Sequence, residues 1–130
     1  MDKSADARPL SPHLQIWRWH VTMASSILHR ATGLVLYAAA LGLAFWLWSA
    51  AAWPEGHGVI AAMLQSPIGH VVLYGIVAAL AFHWANGVRH FVFDLGWAMS
   101  PDSAETSAWI AILFALAAPV GLWALLTFGI

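Results

Sequence analysis

Three long, almost uninterrupted apolar stretches dominate the pattern of the chain, at about 22–50, 67–93 and 104–128. Each exceeds the roughly 20 residues that a helix needs to cross about 30 Å of hydrocarbon. Of the 130 residues, 62% are hydrophobic and 8% are charged, whereas about 25% of the residues of a soluble domain are charged. The pattern predicts an all-α integral membrane protein with three transmembrane helices.

The polar segments divide the chain into two parts. Residues 1–21 are predicted to form a cytoplasmic amino-terminal arm, and residues 22–130 a three-helix membrane anchor domain. The arm lacks the short basic start and small-residue cleavage site of a signal peptide, so we expect the first span to be retained. Three helices bury little of one another, and we therefore expect partner helices.

Short motifs predict where the helices begin. Ser66 followed by Pro67 predicts an N-cap and the first residue of the second span. Asp102 with Glu105 three residues later predicts a capping box at the start of the third span. The segment 53–58, between the first two spans, is expected to be a loop.

The distribution of basic residues predicts an orientation. All five lie before or at the start of the first span or near the end of the second, and they are Lys3, Arg8, Arg18, Arg30 and Arg89. The positive-inside rule then places the amino terminus in the cytoplasm and the carboxyl terminus outside. For a bacterium this means the inner (cytoplasmic) membrane, with the carboxyl terminus in the periplasm.

The chain has no cysteine. It therefore has no disulfide, no thiol nucleophile and no cysteine-ligated iron–sulphur cluster. The net charge of −1 gives no indication of nucleic acid as a partner.

His83 is the most informative residue of the second span. A histidine at membrane depth is costly and usually functional. Ala79 and Gly87 lie one turn before and after it, which predicts a strip poor in side chains that could admit a planar macrocycle. The residues alone leave three interpretations: a haem ligand, a core histidine that hydrogen-bonds a neighbouring helix, and a proton relay.

A b-type haem in a membrane usually has two axial imidazoles, and the depth of the histidines limits the choice of the second. Helical rise places His90 about 10 Å nearer the cytoplasm than His83, at about the expected depth of His29. A partner for His83 would then come from another subunit, or the haem interpretation is wrong. His29 with His90 is an alternative pair within the chain, but it would place the iron close to water. His90 could also pair with Asp94, four residues later.

A second group of polar residues opens the first span. Ser26 and Arg30 are four residues apart and share a helix face. A hydroxyl and a guanidinium at headgroup depth could hydrogen-bond the carbonyl of an amphipathic ligand such as a quinone. Alternatively, Arg30 anchors the helix by extending its charge to lipid phosphates.

These motifs together resemble one family. The matching stretches are Arg8–Leu14 (RPLSPHL), Ser26–Gly33 (SILHRATG), His83, Gly87–His90 (GVRH) and Asp94. They resemble the cytochrome b membrane-anchor subunit of succinate dehydrogenase, respiratory complex II, over about residues 8–96. The third span matches only as a hydrophobic helix.

The resemblance implies a place in an electron-transport complex of the tricarboxylic acid cycle. In that family succinate is oxidised on a flavoprotein subunit, electrons pass through an iron–sulphur subunit, and ubiquinone is reduced at the membrane. This chain would carry no succinate chemistry and no catalytic residue. It would share one haem b with a second small membrane-anchor subunit, which supplies the other axial histidine.

The resemblance also implies roles for single residues. His83 would be the axial ligand of the haem iron, His29 and Arg30 would approach the haem propionates, and His90 would also lie at the cofactor. Ser26, Ile27 and Arg30 would line the quinone site. Two other functions remain open: a haem-free structural membrane anchor, and a b-type cytochrome subunit of another dehydrogenase.

Overall fold

The computed structural model describes residues 13–129 of the chain. Within that range it contains helices and no strand, and the helices are α1 (His13–Ile16), α2 (Val21–Ala52), α3 (Pro54–Gln65), α4 (Pro67–Asp94) and α5 (Pro101–Phe128). Three of them, α2, α4 and α5, are long and apolar enough to cross a membrane. The predicted all-α fold with three membrane-spanning helices is confirmed.

Most of the predicted amino-terminal arm, including Lys3 and Arg8, lies outside the described residues. The described part holds the single turn α1 and the segment 17–20, which leads into α2 at Val21. The boundary between an arm and a membrane domain at 21/22 stays a prediction.

The predicted loop between the first two spans is wrong, because residues 54–65 form the helix α3. Trp53 leaves the helical region, at φ −147° and ψ 72°, because a residue before proline is hindered from helical conformation. Pro54 then occupies the first turn of α3 with Glu55 beside it, where both residue types favour a helix start.

The start of α4 was predicted correctly. The Ser66 side chain accepts a hydrogen bond from the Gly69 amide at 3.1 Å, and Pro67 is the first helical residue. Gly96 ends the helix in the left-handed region, at φ 76°. Its amide donates to the Phe93 carbonyl at 2.8 Å, and the Trp97 amide donates to the Val92 carbonyl at 3.1 Å. This is a Schellman ending, which glycine adopts without strain.

The predicted capping box at Asp102 is wrong. The N-cap of α5 is Ser100, whose hydroxyl oxygen accepts from the Ser103 amide at 3.3 Å. Pro101 explains the earlier start, because its fixed φ suits the first helical position.

Small residues bring α5 close to α4. Ala108, Ala111 and Ala115 lie on one face of α5 and are at most 8% exposed. Ala111 and Ala115 pack with Phe82 of α4, as small residues do between membrane helices. In contrast, Leu34, Ile68, Leu126 and many similar side chains are more than 40% exposed on the outside of the bundle. The bundle is therefore apolar on both its inside and its outside, as a protein surrounded by hydrocarbon is.

Candidate functional site

His83 lies on the face of α4 that packs against α2. Its Nδ1 is 3.1 Å from the carbonyl oxygen of His29 and 3.3 Å from the Thr32 hydroxyl oxygen. Because a carbonyl oxygen only accepts, Nδ1 carries a proton and donates it. Among the described residues, none hydrogen-bonds to Nε2 of His83. The ring therefore presents an Nε2 lone pair, which is the form of imidazole that binds a metal.

The backbone of α2 comes close to the same ring at Gly33. An ideal Cβ added to Gly33 would lie 3.2 Å from Cε1 of His83 and 3.7 Å from its Nδ1. The first distance is shorter than an ordinary van der Waals contact between carbons. A side chain at this position would press on the imidazole.

Three imidazoles form a tilted stack at this level of the bundle, with interplanar angles of 34° between His29 and His83 and 32° between His29 and His90. The His29 ring lies 4.1 Å from the His83 ring and 5.2 Å from the His90 ring, measured between centroids. Within the described part of the chain, Nε2 of His29 is buried and has no hydrogen-bond partner. A buried polar atom without a hydrogen bond lowers the stability of the folded protein by roughly 1–3 kcal/mol. Nε2 of His29 is therefore a place where a polar group of a ligand would bind.

The stack corrects the expected depths of these histidines. His29 comes eight residues after the start of α2, and His83 comes eleven residues before the end of α4. With a rise of about 1.5 Å per residue, His29 lies roughly 12 Å from the start of α2 and His83 roughly 16 Å from the end of α4. His29 therefore lies between His83 and His90 in depth rather than level with His90.

The stack also argues against a haem held between two histidines of this chain. Two imidazoles that hold one iron each bind it end-on through a ring nitrogen, with the macrocycle between them, so their rings cannot contact each other. His29 is too close to both His83 and His90 for this. The expected pair of His90 and Asp94 is not formed among the described residues; the His90 ring instead lies near His29 and, at 6.5 Å, near Phe93.

A cavity of about 560 Å³ lies where α2 and α5 begin and α4 ends. Its polar lining comes from all three helices and the residue before α2: His20, Thr22, Ser26, Arg89, His90 and Glu105. The cavity brings Ser26 and His90 together.

The other expected quinone residues lie elsewhere. Ile27 is 47% exposed, and Arg30 is exposed on the surface of α2. Neither lines the cavity that contains Ser26. Ser26 therefore lines an open cavity, whereas Ile27 and Arg30 lie on the surface of α2 beside it in sequence.

Arg89 ties α4 to the first turns of α5. It is 9% exposed, its Nε donates to the Ser107 hydroxyl at 2.8 Å, and its Nη2 donates to the Ala104 carbonyl at 2.9 Å. The guanidinium carbon also lies 4.6 Å from the centroid of the Phe93 ring. Arg89 therefore makes two hydrogen bonds within the protein itself.

A second polar link joins α2 to α4. The Ser25 hydroxyl donates to Oδ1 of Asn86 at 2.6 Å, and Nδ2 of Asn86 donates to the Phe82 carbonyl at 3.2 Å. Ser25 is 0% exposed and Asn86 is 1% exposed. The link lies about one helical turn from His83, so it holds the two helices in register where the imidazoles stack.

Comparison with known proteins identifies the family. The model of the succinate dehydrogenase/fumarate reductase transmembrane subunit family matches residues 4–122. This chain belongs to that family.

Individual relatives agree with the family match. The mitochondrial succinate dehydrogenase cytochrome b560 subunit of Sus scrofa is 35% identical over 123 residues, which cover 91% of this chain and 71% of the relative. The succinate dehydrogenase cytochrome b556 subunit of Paracoccus denitrificans is 33% identical over 107 residues, 82% of each chain. The subunit of the same name from Rickettsia felis is 30% identical over 116 residues, 89% of this chain and 90% of the relative.

The resemblance read from the motifs is confirmed, and this transmembrane subunit is a multi-pass membrane protein that belongs to an enzyme complex.

Sequence reasoning missed two contact residues, Ser25 and Thr32. Asn86 could have indicated a polar partner such as Ser25, because an amide side chain inside a membrane span needs a hydrogen-bond partner on another helix. Thr32 gave no signal of its own, since threonine in a membrane helix usually bonds its own backbone, as it does here to the His29 carbonyl at 3.0 Å.

Proposed function

We propose that this chain is the haem b-binding membrane-anchor subunit of a succinate:quinone oxidoreductase. The observation that carries the proposal is the state of His83: Nδ1 is hydrogen-bonded to α2, and Nε2 has no partner among the described residues. Relatives at 30–35% identity are named cytochrome b subunits of succinate dehydrogenase, which favours a haem ligand over a core histidine.

The residues around His83 fit a haem b. Nε2 of His83 would bind the iron, and the buried, unpartnered Nε2 of His29 would meet a polar edge group such as a propionate. Arg30 and His90 would lie at the same edge. When bound, the haem supplies a one-electron redox centre beside the quinone site.

The second axial ligand would come from a second small membrane-anchor subunit. The His29 ring lies too close to the His83 ring and to the His90 ring to share an iron with either. α5, the third membrane-spanning helix, contains no histidine. One haem would therefore lie between this chain and its partner, attached to each by one imidazole.

The soluble partners would be an iron–sulphur subunit and a flavoprotein subunit. With no cysteine in the sequence, clusters ligated by cysteine must lie on another chain. This chain would anchor both soluble subunits to the lipid bilayer of the bacterial inner membrane, with its amino terminus in the cytoplasm. No nucleic-acid partner is expected.

The quinone site would use Ser26, Ile27 and Arg30. Arg30 is exposed, so its guanidinium is available to a ligand held between this chain and a partner subunit. It would donate to one carbonyl of ubiquinone and polarise it, and the Ser26 hydroxyl would donate a second hydrogen bond. The exposed side chain of Ile27 would supply an apolar contact to the ring. Protons for the quinone would come from the cytoplasmic side.

The test is to purify the complex through a tag on this chain. We expect succinate-dependent reduction of ubiquinone and the absorbance of a reduced b-type haem. A complex that oxidises succinate but lacks haem would indicate a structural anchor. Haem without a succinate-oxidising flavoprotein would indicate a cytochrome subunit of another dehydrogenase.

A further inference from the structure

We propose that Thr32 and Gly33 are positioning residues for His83. Together with the carbonyl of His29, they would fix the tautomer and the orientation of the His83 imidazole. This inference rests on the proposed function, because the orientation of the ring matters only if His83 binds the haem iron.

The protons at this site can be assigned one by one. The Thr32 hydroxyl is 3.0 Å from the His29 carbonyl oxygen, which can only accept, so Thr32 gives its single proton to that carbonyl. The Thr32 oxygen can then act only as an acceptor towards Nδ1 of His83, 3.3 Å away. Nδ1 is also 3.1 Å from the same carbonyl. Both neighbours therefore require a proton on Nδ1, and Nε2 keeps its lone pair.

This arrangement has a chemical consequence for a metal ligand. A hydrogen bond from the non-ligating nitrogen of a histidine fixes the tautomer and raises the basicity of the ligating nitrogen. A more basic ligand stabilises the oxidised iron relative to the reduced iron and so lowers the midpoint potential. The Thr32 hydroxyl provides a second acceptor for the Nδ1 proton, in addition to the backbone carbonyl.

Gly33 acts through space rather than through a hydrogen bond. Its Cα is so close to the imidazole that a methyl group there would lie 3.2 Å from Cε1 of His83. Thr32 holds one nitrogen of the ring, and Gly33, which has no side chain, leaves room for the ring in the orientation that this hydrogen bond requires. Together the two residues set the orientation of the ring and so the direction of the Nε2 lone pair.

Thr32→Val tests the hydrogen bond in the purified complex, because valine keeps the shape and removes the hydroxyl. We expect a more positive haem midpoint potential. Loss of outer partners of a metal-ligating histidine commonly changes metal affinity about 10–100-fold. One of two acceptors remains here, so we expect about a threefold to tenfold change in the relative stability of the two oxidation states, equivalent to about 30–60 mV for one electron.

Two further variants separate positioning from general disturbance. Thr32→Ser restores the hydroxyl and should return the potential to that of the unsubstituted complex. Thr106→Val, at an exposed threonine of α5, should leave the potential unchanged. If Thr32→Val does not assemble, Thr32→Ala removes the same hydroxyl with less bulk and takes its place in the comparison.

Gly33→Ala tests the steric contact. We expect altered g values of the low-spin haem in electron paramagnetic resonance, because the methyl group turns the axial imidazole. Gly42→Ala is the matched control, since Gly42 lies in the same helix and a Cβ there would meet nothing within 4 Å. Its spectrum should be unchanged.

The outcomes distinguish this inference from the proposed function. If His83→Ala removes the low-spin signal while Thr32→Val and Gly33→Ala leave both potential and g values unchanged, the positioning role is wrong and the ligand assignment stands. If His83→Ala leaves the low-spin signal intact, His83 is not a ligand and both fail. Shifts in both Thr32→Val and Gly33→Ala, with rescue by Thr32→Ser, support the inference.

Discussion

The imidazoles of His29 and His83 stack with their centroids 4.1 Å apart, and the carbonyl oxygen of His29 lies 3.1 Å from Nδ1 of His83. One residue of α2 thus lies against the His83 ring with its side chain, at an interplanar angle of 34°, and against Nδ1 with its backbone. These contacts leave Nε2 of His83 without a partner among the described residues. They reconcile two interpretations of the sequence, since His83 does hydrogen-bond a neighbouring helix and is still able to bind iron.

His83→Ala should remove the axial haem ligand that this chain provides. We expect the purified complex to lose its haem or to change from a low-spin to a high-spin optical spectrum. His70→Ala is the matched control, because His70 lies on the same helix, is exposed, and its Nδ1 lies 3.0 Å from the carbonyl oxygen of Ser66. An unchanged low-spin spectrum in His83→Ala would contradict the assignment.

The polar link between α2 and α4 gives a prediction about stability. Ser25→Ala leaves Oδ1 of the buried Asn86 without its donor, which should cost roughly 1–3 kcal/mol and lower the thermal transition of the purified complex. Adding Asn86→Leu removes the unsatisfied group and should recover part of the loss. If the double variant is less stable than Ser25→Ala alone, packing rather than the unsatisfied oxygen determines the cost.

Much of the fold followed from the sequence because hydrocarbon thickness sets the length of apolar helices. The Ser66–Pro67 start of α4 followed too, because capping is a local effect. The helix α3 was missed although Pro54 and Glu55 favour a helix start, and Gly56 and Gly58 lower the helix propensity of the residues that follow them.

The site was less predictable than the fold, because it depends on how two helices are aligned. Sequence spacing placed His29 level with His90, whereas in the bundle it lies between His90 and His83. That alignment depends on the contact between Ser25 and Asn86, and no spacing within one helix reveals it.

Orientation can be tested with single cysteines, since the sequence has none of its own. Gly58→Cys in α3 should react with an impermeant thiol reagent from the periplasmic side, and Met99→Cys, between α4 and α5, should not. Gly58 is exposed with open space around it, whereas a side chain at Gly56 would overlap the Trp53 ring. Met99 is 69% exposed. The reverse labelling would contradict the orientation inferred from the basic residues.

Ser26 and Arg30 should affect quinone reduction without affecting succinate oxidation. Ser26→Ala removes one hydrogen-bond donor, at a cost of about 0.5–1.5 kcal/mol in quinone binding. Arg30→Leu removes a charged donor and should cost more, about 1.5–3 kcal/mol. Arg30→Lys should not rescue fully, because an ammonium lacks the planar arrangement of donors of a guanidinium. The measurement is succinate-dependent reduction of ubiquinone by the purified complex.

Two controls make this last prediction specific. Succinate oxidation with an artificial acceptor that takes electrons before the quinone should stay normal in all three variants. Arg18→Leu removes a positive charge from the same end of the chain, where Arg18 is exposed, and should leave quinone reduction unchanged. The haem spectrum must be recorded in the same samples, because Arg30 is also proposed to approach a propionate. Lost quinone reduction with an intact haem spectrum would support the site. Normal quinone kinetics in both Ser26→Ala and Arg30→Leu would leave Arg30 as a lipid anchor and remove this chain from the quinone pocket.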